Sequence, residues 1–186
     1  MIDLINQRSS HGKLVAPGPS AEQVKIITQA AVRAPDHAWL RPTYFITVAD
    51  EEREALNQAF YRHTLATGGT PAQLEKAASM ANRAPMLLIA VCRQQMHAKV
   101  PQWEQVATTC VALAYSQLTA ESLGFGTIWR TGAMADSDAV RELLKLKANE
   151  KIVGFLYIGS KSGAEKTRPE SANELPVVSL SNLLND

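Results

Sequence analysis

The sequence predicts an α+β domain that is built around a central sheet and one buried central helix. Segments with strand character alternate with segments of helical periodicity along the whole of residues 1–186. The stretch Pro101–Gly124 is long and apolar on most faces, which is typical of a helix that is buried on all sides. The chain has no Gly-x-Gly-x-x-Gly turn, so a dinucleotide-binding Rossmann unit is disfavoured.

With 46% hydrophobic and 20% charged residues, the composition is ordinary for one globular domain. The formal net charge of +1 provides no overall attraction to nucleic acid or to a membrane surface, so any anion site must be local. Cys92 and Cys110 lie in apolar stretches without metal-ligand spacing, which predicts two reduced core residues. The N-terminus lacks a signal-peptide pattern and the apolar runs are too short for a bilayer, so we expect a cytoplasmic protein.

The first half of the chain carries a local signal for each element in turn. Residues Ile2–Gln7 predict a short helix. Ser20 and Gln23 have the spacing of a capping box, so a second helix begins there. Pro35 ends that helix, because the residue before a proline is disfavoured in the α region. The aromatic and β-branched run Thr43–Asp50 predicts a strand.

The second half alternates in the same way. Helical spacing returns in residues 51–63, and Pro71 suits the first position of another helix. Gly124 supplies the left-handed residue that ends the long helix. The remaining segments predict strands at 84–92, 126–132, 151–159 and 175–180 and a capped helix at 136–145.

Two segments offer groups that suit a phosphate. Arg8 presents a planar, permanently charged fork, and the two serines that follow it add hydroxyl donors. The alternative is a helix end with a solvated arginine. Near the C-terminus, Lys161, Lys166 and Arg168 make the chain locally basic, and they either stay in solvent or bring one more cation to a phosphate.

The connection RAPDHAWLRP, between the second helix and the first predicted strand, is unusually rich in polar and aromatic side chains. Asp36 is placed to accept a backbone hydrogen bond in an Asx-type turn. Arg33, His37 and Arg41 supply cations or donors, and Trp39 supplies an aromatic plane. Together they indicate a loop that faces a planar, partly charged ligand; individually, each is equally explained as a turn or core residue.

The segment GFGTIWRTGA is the third candidate. Its glycines allow the backbone to approach a ligand or another helix closely. Successive strand residues face opposite ways, so Trp129 and Thr131 are expected on one face and Arg130 on the other. The alternative is an edge strand with an exposed arginine.

Motifs for hydrolytic and metal chemistry are absent from the sequence. It has no Ser-His-Asp order, no nucleophile elbow, no His-Glu-x-x-His and no cysteine pair. We therefore predict neither a metal site nor a catalytic nucleophile.

The order of these pieces resembles the FMN-dependent nitroreductase family. An N-terminal RSS is followed by RAPDH before a strand, by VPxWEQ at the start of the central helix, and by LGFGTIWRTGA before KIVGFLYIG. The likeness runs from about Ile5 to Gly159 and is greatest to the small branch with an APDH loop and a WR[ST]G strand. It implies a nitroreductase-like fold, with a mostly antiparallel sheet flanked by helices, and a homodimer with FMN in two interface sites.

The resemblance also implies an activity and a set of site residues. The activity is hydride transfer from NADH or NADPH to N5 of FMN, then ping-pong reduction of nitro-aromatic or quinone-like compounds. The residues implied at the FMN phosphate and ribityl end are Gln7, Arg8 and Ser9. Those implied to reach the flavin across the dimer are Arg33 and His37. Those implied at the far wall, near the ring and the phosphate, are Trp129, Arg130 and Thr131. The helix end implied to meet the nicotinamide nucleotide comprises Thr119, Ala120, Glu121, Ser122, Leu123 and Gly124.

The chain departs from the family pattern at several positions. The family often has two arginines where Gln7 and Arg8 stand. Arg41 replaces a neutral amide and Thr43 replaces an aromatic residue, which changes the expected contacts at the ring edge.

Small side chains along the central helix agree with the implied dimer, because so apolar a face would be a large exposed patch on a monomer. Two alternatives to the oxidoreductase stay open. One is a non-catalytic dimer that binds a flavin or another ligand for storage or sensing, and the other is a structural dimer without a cofactor.

Overall fold

The computed structural model of the chain describes residues 1–163 and 175–184. Its helices are α1 (Ile2–Gln7), α2 (Ala21–Ala31), α3 (Glu52–Ala66), α4 (Pro71–Ala77), α5 (Gln102–Ser122), α6 (Asp138–Leu143) and α7 (Leu180–Leu183). Its strands are β1 (Leu14–Val15), β2 (Thr43–Ala49), β3 (Met86–Arg93), β4 (Gly126–Arg130) and β5 (Glu150–Lys161). The predicted α+β class is confirmed.

Two elements differ from the sequence prediction. The strand predicted at 175–180 is wrong, since residues 175–179 have no regular structure and α7 begins at Leu180. Pro176 lacks the N–H that a ladder needs, and Ser179 caps the helix by accepting from the Asn182 N–H at 3.3 Å. The sequence analysis also missed β1, whose two residues are too few to show a period and which pairs with β5.

The sheet is antiparallel throughout its named strands. β3 lies between β2 and β5, and β5 also pairs with β4 and β1. One short parallel bridge, from Ser10 to Thr127, attaches the N-terminal segment to β4. The predicted, mostly antiparallel central sheet is therefore confirmed, and its β4 edge carries the chain that follows α1.

Successive side chains of β5 point to opposite faces of the sheet, and those on both faces are apolar. Both faces are therefore buried beneath helices. Phe155 and Tyr157 enter the core beneath α3, α4 and α6, where Phe155 meets Phe60 edge-on at 5.6 Å between ring centroids. Leu156 enters the opposite core, beneath α2 and α5, with Ile27. Two apolar layers thus hold the sheet in the middle of the fold.

Caps set the helix boundaries much as the sequence indicates. The Ser20 hydroxyl accepts from the Gln23 N–H at 3.3 Å, and the Gln23 side chain accepts from the Ser20 N–H at 2.9 Å, which completes the predicted capping box. The α-helix itself ends at Ala31, earlier than Pro35. Three tighter turns follow, through the N–H groups of residues 32–34, so that Pro35 ends the helical segment as a whole.

The central helix α5 is buried on one side only. Leu113 packs against sheet residues and Ile27, Ala112 packs against Ala31 and Ala34 around the end of α2, and Trp103 is 69% exposed. The expectation of burial on all sides is thus not met within a single chain. The uncovered part of α5 carries exposed apolar side chains, such as Trp103 and Tyr115, which is typical of an interaction surface.

The two cysteines lie in or beside the core, as their apolar surroundings predict. Cys92 is buried and Cys110 is half-buried, and both are free thiols. Among the helices that the structure describes, none is long and apolar enough to cross a membrane. Residues 1–163 and 175–184 contain no group of three or more His, Cys, Asp or Glu side chains placed to hold a metal ion.

Candidate functional site

The loop after α1 runs along the edge of β4. The Ser10–Thr127 bridge and the His11 N–H, which donates to the Thr127 carbonyl at 2.9 Å, hold the two segments together. Arg8 and Ser9, both half-buried, follow α1 directly, while Gln7 at its last turn is exposed. The predicted phosphate residues therefore lie on the chain that is attached to the start of β4.

Further donors surround that loop. The Ser9 hydroxyl lies 3.2 Å from Nε2 of His11. A side chain at Gly126 would press on Lys161 and His11, with its Cβ 2.9 Å from the Lys161 Cγ and 3.2 Å from the His11 ring. Gly126 therefore allows Lys161 and His11 to approach one point at the edge of the sheet. Of the basic C-terminal residues, Lys161 is brought to this edge, and Lys166 and Arg168 lie outside the described residues.

A buried polar network ties this edge to α5. The Gln117 amide donates to the Thr127 hydroxyl at 2.9 Å, and that hydroxyl donates to the Glu121 carboxylate at 2.7 Å. All three residues are buried. The network fixes the position of β4 against α5, and with it the loop that β4 holds. Sequence reasoning missed this role, because Glu121 was considered only as part of a nucleotide-binding helix end.

The helix end that was predicted to meet the nicotinamide nucleotide has an inner and an outer side. Ala120 is fully buried and the Glu121 side chain is only 8% exposed, so neither presents its side chain to a ligand. Thr119 and Leu123 are half-buried, and Ser122 and Gly124 are exposed. A nucleotide at this segment would therefore meet the outer residues only.

Trp129 and Arg130 lie on opposite sides of the sheet, as strand alternation predicts. Trp129 packs against the core beneath α2 and α5, with its indole directly over the backbone of Gly154. The Arg130 guanidinium lies over the Tyr157 ring, 5.9 Å from its centroid. The Trp129 Nε1 and the Arg130 Nε are both buried and find no hydrogen-bond partner among the residues described here.

Thr131 does not share the face of Trp129 as a strand residue, which corrects that expectation. The strand ends at Arg130, and the chain turns at Gly132, whose φ is +74°. Thr131 and Gly132 are exposed at this turn. The end of β4 thus presents open backbone where the sequence predicted the wall of a ring site.

Arg83 is a second cation near this end of β4, and the sequence analysis missed it. Burial raises the pKa of Tyr157 to about 12, although the nearby charges of Arg130 and Arg83 act to lower it. Tyr157 therefore stays neutral at physiological pH, and the two arginines share its surroundings. Arg83 stands just before β3, a position that carries no sequence signal for a ligand contact.

The loop between α2 and β2 is tightly constrained. The Asp36 carboxylate accepts from the N–H groups of Leu40 at 3.2 Å and Arg41 at 2.7 Å, which confirms the predicted backbone hydrogen bonding. The bonds reach four and five residues along the chain, so they close a wider loop than the Asx-type turn that was predicted. Ala38, Trp39 and Arg41 have φ values of 61°, 54° and 47°. Non-glycine residues in this region cost about 1–3 kcal/mol each, and such strain is concentrated at functional sites.

The aromatic plane in this loop is open to solvent. Trp39 is 78% exposed, which rules out a core role in the single chain, and the Arg41 guanidinium lies 5.7 Å from the centroid of its ring. A cation next to an exposed indole is suited to a planar, partly charged ligand or to a second subunit.

The same loop is anchored to the beginning of α5. His37 Nδ1 lies 2.8 Å from the Glu104 carboxylate, and the Thr108 hydroxyl donates to the Pro35 carbonyl at 2.9 Å. Glu104 lies in the first turn of α5, where the helix dipole alone explains an acidic residue, so its sequence position does not indicate a contact with His37. The structure shows that it orients His37.

His37 and the loop after α1 lie at opposite ends of α5. Glu104, which holds His37, and Glu121, which holds Thr127, are seventeen residues apart on this helix. At 1.5 Å per residue the separation is about 25 Å, longer than one FMN molecule. Within one chain, His37 thus lies apart from the residues at β4, whereas Arg33 lines a groove with α1 and with Thr119 and Ser122 of α5.

The residues at β4 suit the two ends of FMN. Arg8 brings a permanent charge to the chain after α1, and Ser9 and His11 add polar groups near the start of the strand, as a phosphate would require. Open backbone at Thr131 lies at its other end. An extended strand of five residues spans about 13 Å between first and last Cα, so the two ends suit the phosphate and the ring of one cofactor.

Comparisons with known proteins give one family. The sequence model of the Nitroreductase family matches residues 5–160. The chain is 38% identical over 157 residues to the putative NAD(P)H nitroreductase YdjA of Escherichia coli K12, a match that covers 84% of this chain and 85% of YdjA. It is 34% identical over 170 residues to a putative NAD(P)H nitroreductase of Haemophilus influenzae, with 91% of each chain covered. Among solved structures, a nitroreductase with bound FMN from Bacteroides fragilis superposes with a TM-score of 0.75 at 22% identity, covering 96% of this chain and 98% of that one.

Proposed function

Because the chain belongs to the nitroreductase family, we propose that it is an FMN-dependent NAD(P)H oxidoreductase that reduces nitro-aromatic or quinone-like compounds. The observation that carries the proposal is the attachment of the Arg8–Ser9 loop to β4 through Thr127. Because of this attachment, the proposed phosphate site lies near the start of β4, and the exposed turn at Thr131 and Gly132 lies at the end of the same strand.

The net reaction is a two-electron reduction. For a nitro compound, one NAD(P)H and one proton convert the nitro group to a nitroso group, and one NAD(P)⁺ and one water are released. For a quinone, the same reductant and proton yield a hydroquinone. Bound FMN supplies the centre that accepts a hydride from NAD(P)H and passes two electrons on in a ping-pong cycle.

The chain's own residues bind and orient the cofactor. Arg8 and Ser9 hold the phosphate, with Gln7 beside them, and Trp129, Arg130 and Thr131 form the wall at the other end of β4. The Gln117–Thr127–Glu121 network keeps these two ends in register. No side chain acts as a nucleophile, which agrees with the absence of such a motif from the sequence.

Arg33 and His37 contact the cofactor of the neighbouring subunit in this proposal. Arg33 and His37 are exposed on one chain, and about 25 Å of α5 separates the His37 anchor from the chain's own β4 site. A two-fold dimer brings them to the partner's site instead. The Glu104 contact then serves to hold the His37 ring in one orientation.

Exposed apolar side chains support the homodimer. They lie on α1, α2 and α5, which border one groove lined by Leu4, Ile5, Ala30, Tyr115 and Leu118. On α1, Ile2 is 74% and Ile5 is 50% exposed. An apolar surface of this kind marks an interaction site, and a second copy of the same face covers it symmetrically.

The first experiment is spectroscopic. We expect the purified protein to be yellow and to bleach anaerobically when NADH or NADPH is added. Yellow protein that neither nicotinamide bleaches would instead favour the non-catalytic flavin-binding dimer. Colourless protein that takes up no FMN on mixing would refute both.

The second experiment removes the proposed phosphate ligand. Arg8→Ala should weaken FMN retention about 10- to 100-fold, which corresponds to about 1.5–3 kcal/mol for a hydrogen bond to a charged group. Arg62→Ala is the matched control, because Arg62 is a surface arginine on α3 with a long 3.6 Å contact to Glu142. Equal FMN retention in both variants would contradict the assignment of Arg8 to the FMN phosphate.

A further inference from the structure

A cavity lies on the face of the sheet opposite to Trp129. It has a volume of about 490 Å³ between α3, α4 and the turn after β4. We call it the basic cleft and define it by His63, Lys76, Arg83, Arg130, Ala133 and Met134. Its volume is within the range of small-molecule sites, about 300–1,000 Å³.

The lining of the basic cleft is positively charged. Among the residues that the structure describes, it includes Lys76, Arg83 and Arg130, with the His63 ring beside them, and no Asp or Glu. In the part of the chain that the structure describes, no carboxylate forms an ion pair with Lys76, Arg83 or Arg130. The Arg130 Nε is buried there without a hydrogen-bond partner, and a buried donor of this kind normally has one.

Tyr157 does not neutralise the cleft. Burial raises its pKa to about 12 even against the influence of the two arginines, so the phenol keeps its proton at physiological pH. Two guanidinium groups near one neutral ring repel each other unless an anion lies between them. The charge pattern thus calls for an anionic ligand.

The cleft opens at the end of β4 where the ring wall is proposed. Ala133 and Met134, which line it, follow Thr131 and Gly132 directly in the chain. Met80 and Ala77 add apolar surface beside the cations. Strand alternation sends the Arg130 side chain into the cleft, while its backbone stays in the wall. A ligand in the cleft would therefore combine an aromatic body with an anionic group and lie next to the cofactor.

We propose that the basic cleft binds the carboxylate of aromatic substrates, so that the enzyme prefers acidic nitro-aromatic or quinone-like compounds to neutral ones. Arg83 and Arg130 bind the carboxylate through charge-assisted hydrogen bonds, for which the guanidinium fork is well suited. Lys76, which is exposed on α4, adds a point charge at the rim. This inference rests on the proposed oxidoreductase function and narrows its substrate class.

The test compares an acid with a neutral compound of the same shape. In turnover, kcat/KM for 4-nitrobenzoate should exceed that for 4-nitrobenzamide by about 10-fold or more. Without turnover, calorimetric titration of FMN-loaded protein should show benzoate binding more tightly than benzamide. Arg83→Gln should lower benzoate affinity about 10- to 100-fold and abolish the preference in kcat/KM. Arg62→Gln, which removes an arginine from the nearby surface of α3, should leave both unchanged.

A second variant changes a residue on the surface of the cleft. Lys76 is exposed, so Lys76→Gln should fold normally and weaken benzoate binding by a smaller factor, about 2- to 5-fold. Wild-type protein that binds and reduces acid and amide equally would overturn the proposal. So would an Arg83→Gln variant that loses FMN but keeps its acid-to-amide ratio, since the cleft would then hold the cofactor. Benzoate binding that depends on Arg83, in a protein that reduces neither compound, would refute the proposed function and leave the anion site intact.

Discussion

The contact between Trp129 and Gly154 predicts that Gly154→Ala disrupts the ring wall. A Cβ at Gly154 would lie 2.6 Å from Cδ1 and 3.0 Å from Cε2 of the indole, and closer still to Nε1. Ordinary carbon contacts begin near 3.5 Å, so the bulky indole has to move. On one side the Gly154 backbone is held by its pairing with Ala90 of β3, next to a bulge where the register shifts.

The expected cost follows from the size of that overlap. Overpacking a core costs about 1–3 kcal/mol, and a chain of this length loses about 2–4 °C of melting temperature per kcal/mol. Gly154→Ala should therefore melt about 2–12 °C below the wild type in a circular-dichroism scan. It should also retain less FMN, since Arg130 and Thr131 follow Trp129 directly in the wall.

A double-mutant cycle tests the reasoning. In a Trp129→Val background the space above Gly154 is free, so Gly154→Ala should cost at least about 1 kcal/mol less than in the wild type. Trp129→Val alone sets the reference for the cavity that the smaller side chain leaves. An equal loss in both backgrounds, or no loss in either, would show that the indole does not lie on Gly154.

Two further predictions concern buried polar groups. Thr127→Val should lower the free energy of unfolding by about 1.5–3 kcal/mol in urea titrations, because it removes the bonds to Gln117 and Glu121. Thr127→Ser keeps the hydroxyl and should stay near the wild type, and equal losses for both variants would contradict the network. The second prediction concerns Glu150. Burial alone would raise its pKa, but the Lys147 N–H and the Arg93 guanidinium lower it below the usual carboxyl value. A lowered pKa stabilises the fold above the ordinary carboxyl range and is lost as the pH falls through the lowered value. The urea midpoint of the wild type should therefore fall more between about pH 7 and about pH 3 than that of Glu150→Gln, and parallel pH profiles would refute this.

Local signals predicted most elements because their causes are local. The Ser20 capping box, the Pro71 helix start and the Asp36 hydrogen bonds each depend on backbone groups within five residues, and the structure has all three. The strand predicted at 175–180 was wrong because a strand, unlike a cap or a turn, depends on residues far away in the chain. The β-branched residues of this segment favour a strand, but a strand needs a partner, and the structure provides none for residues 175–180.

The candidate site was predictable only in part. Arg8, Ser9 and the segment from Trp129 to Thr131 have motif signals, and the structure places both segments along one strand edge. Arg83 and Glu104 have no such signal, since each gains its meaning from a residue far away in the chain. The distance from Glu104 to His37, for example, is 2.8 Å in space and 67 positions in sequence.

The amino-acid sequence by itself determined the order of most helices and strands, the polar and aromatic loop before β2 and the family to which the chain belongs. These features arise from backbone preferences and short motifs, which act over a few residues. The tertiary structure alone decided which face of α5 is covered, that Glu121 points inward to Thr127, and that Arg83 joins Arg130 in a cleft. Such arrangements depend on the pairing of β3, β4 and β5 in one sheet. Pairing brings together residues that are far apart in the sequence, and their spacing along the chain does not indicate that they will meet.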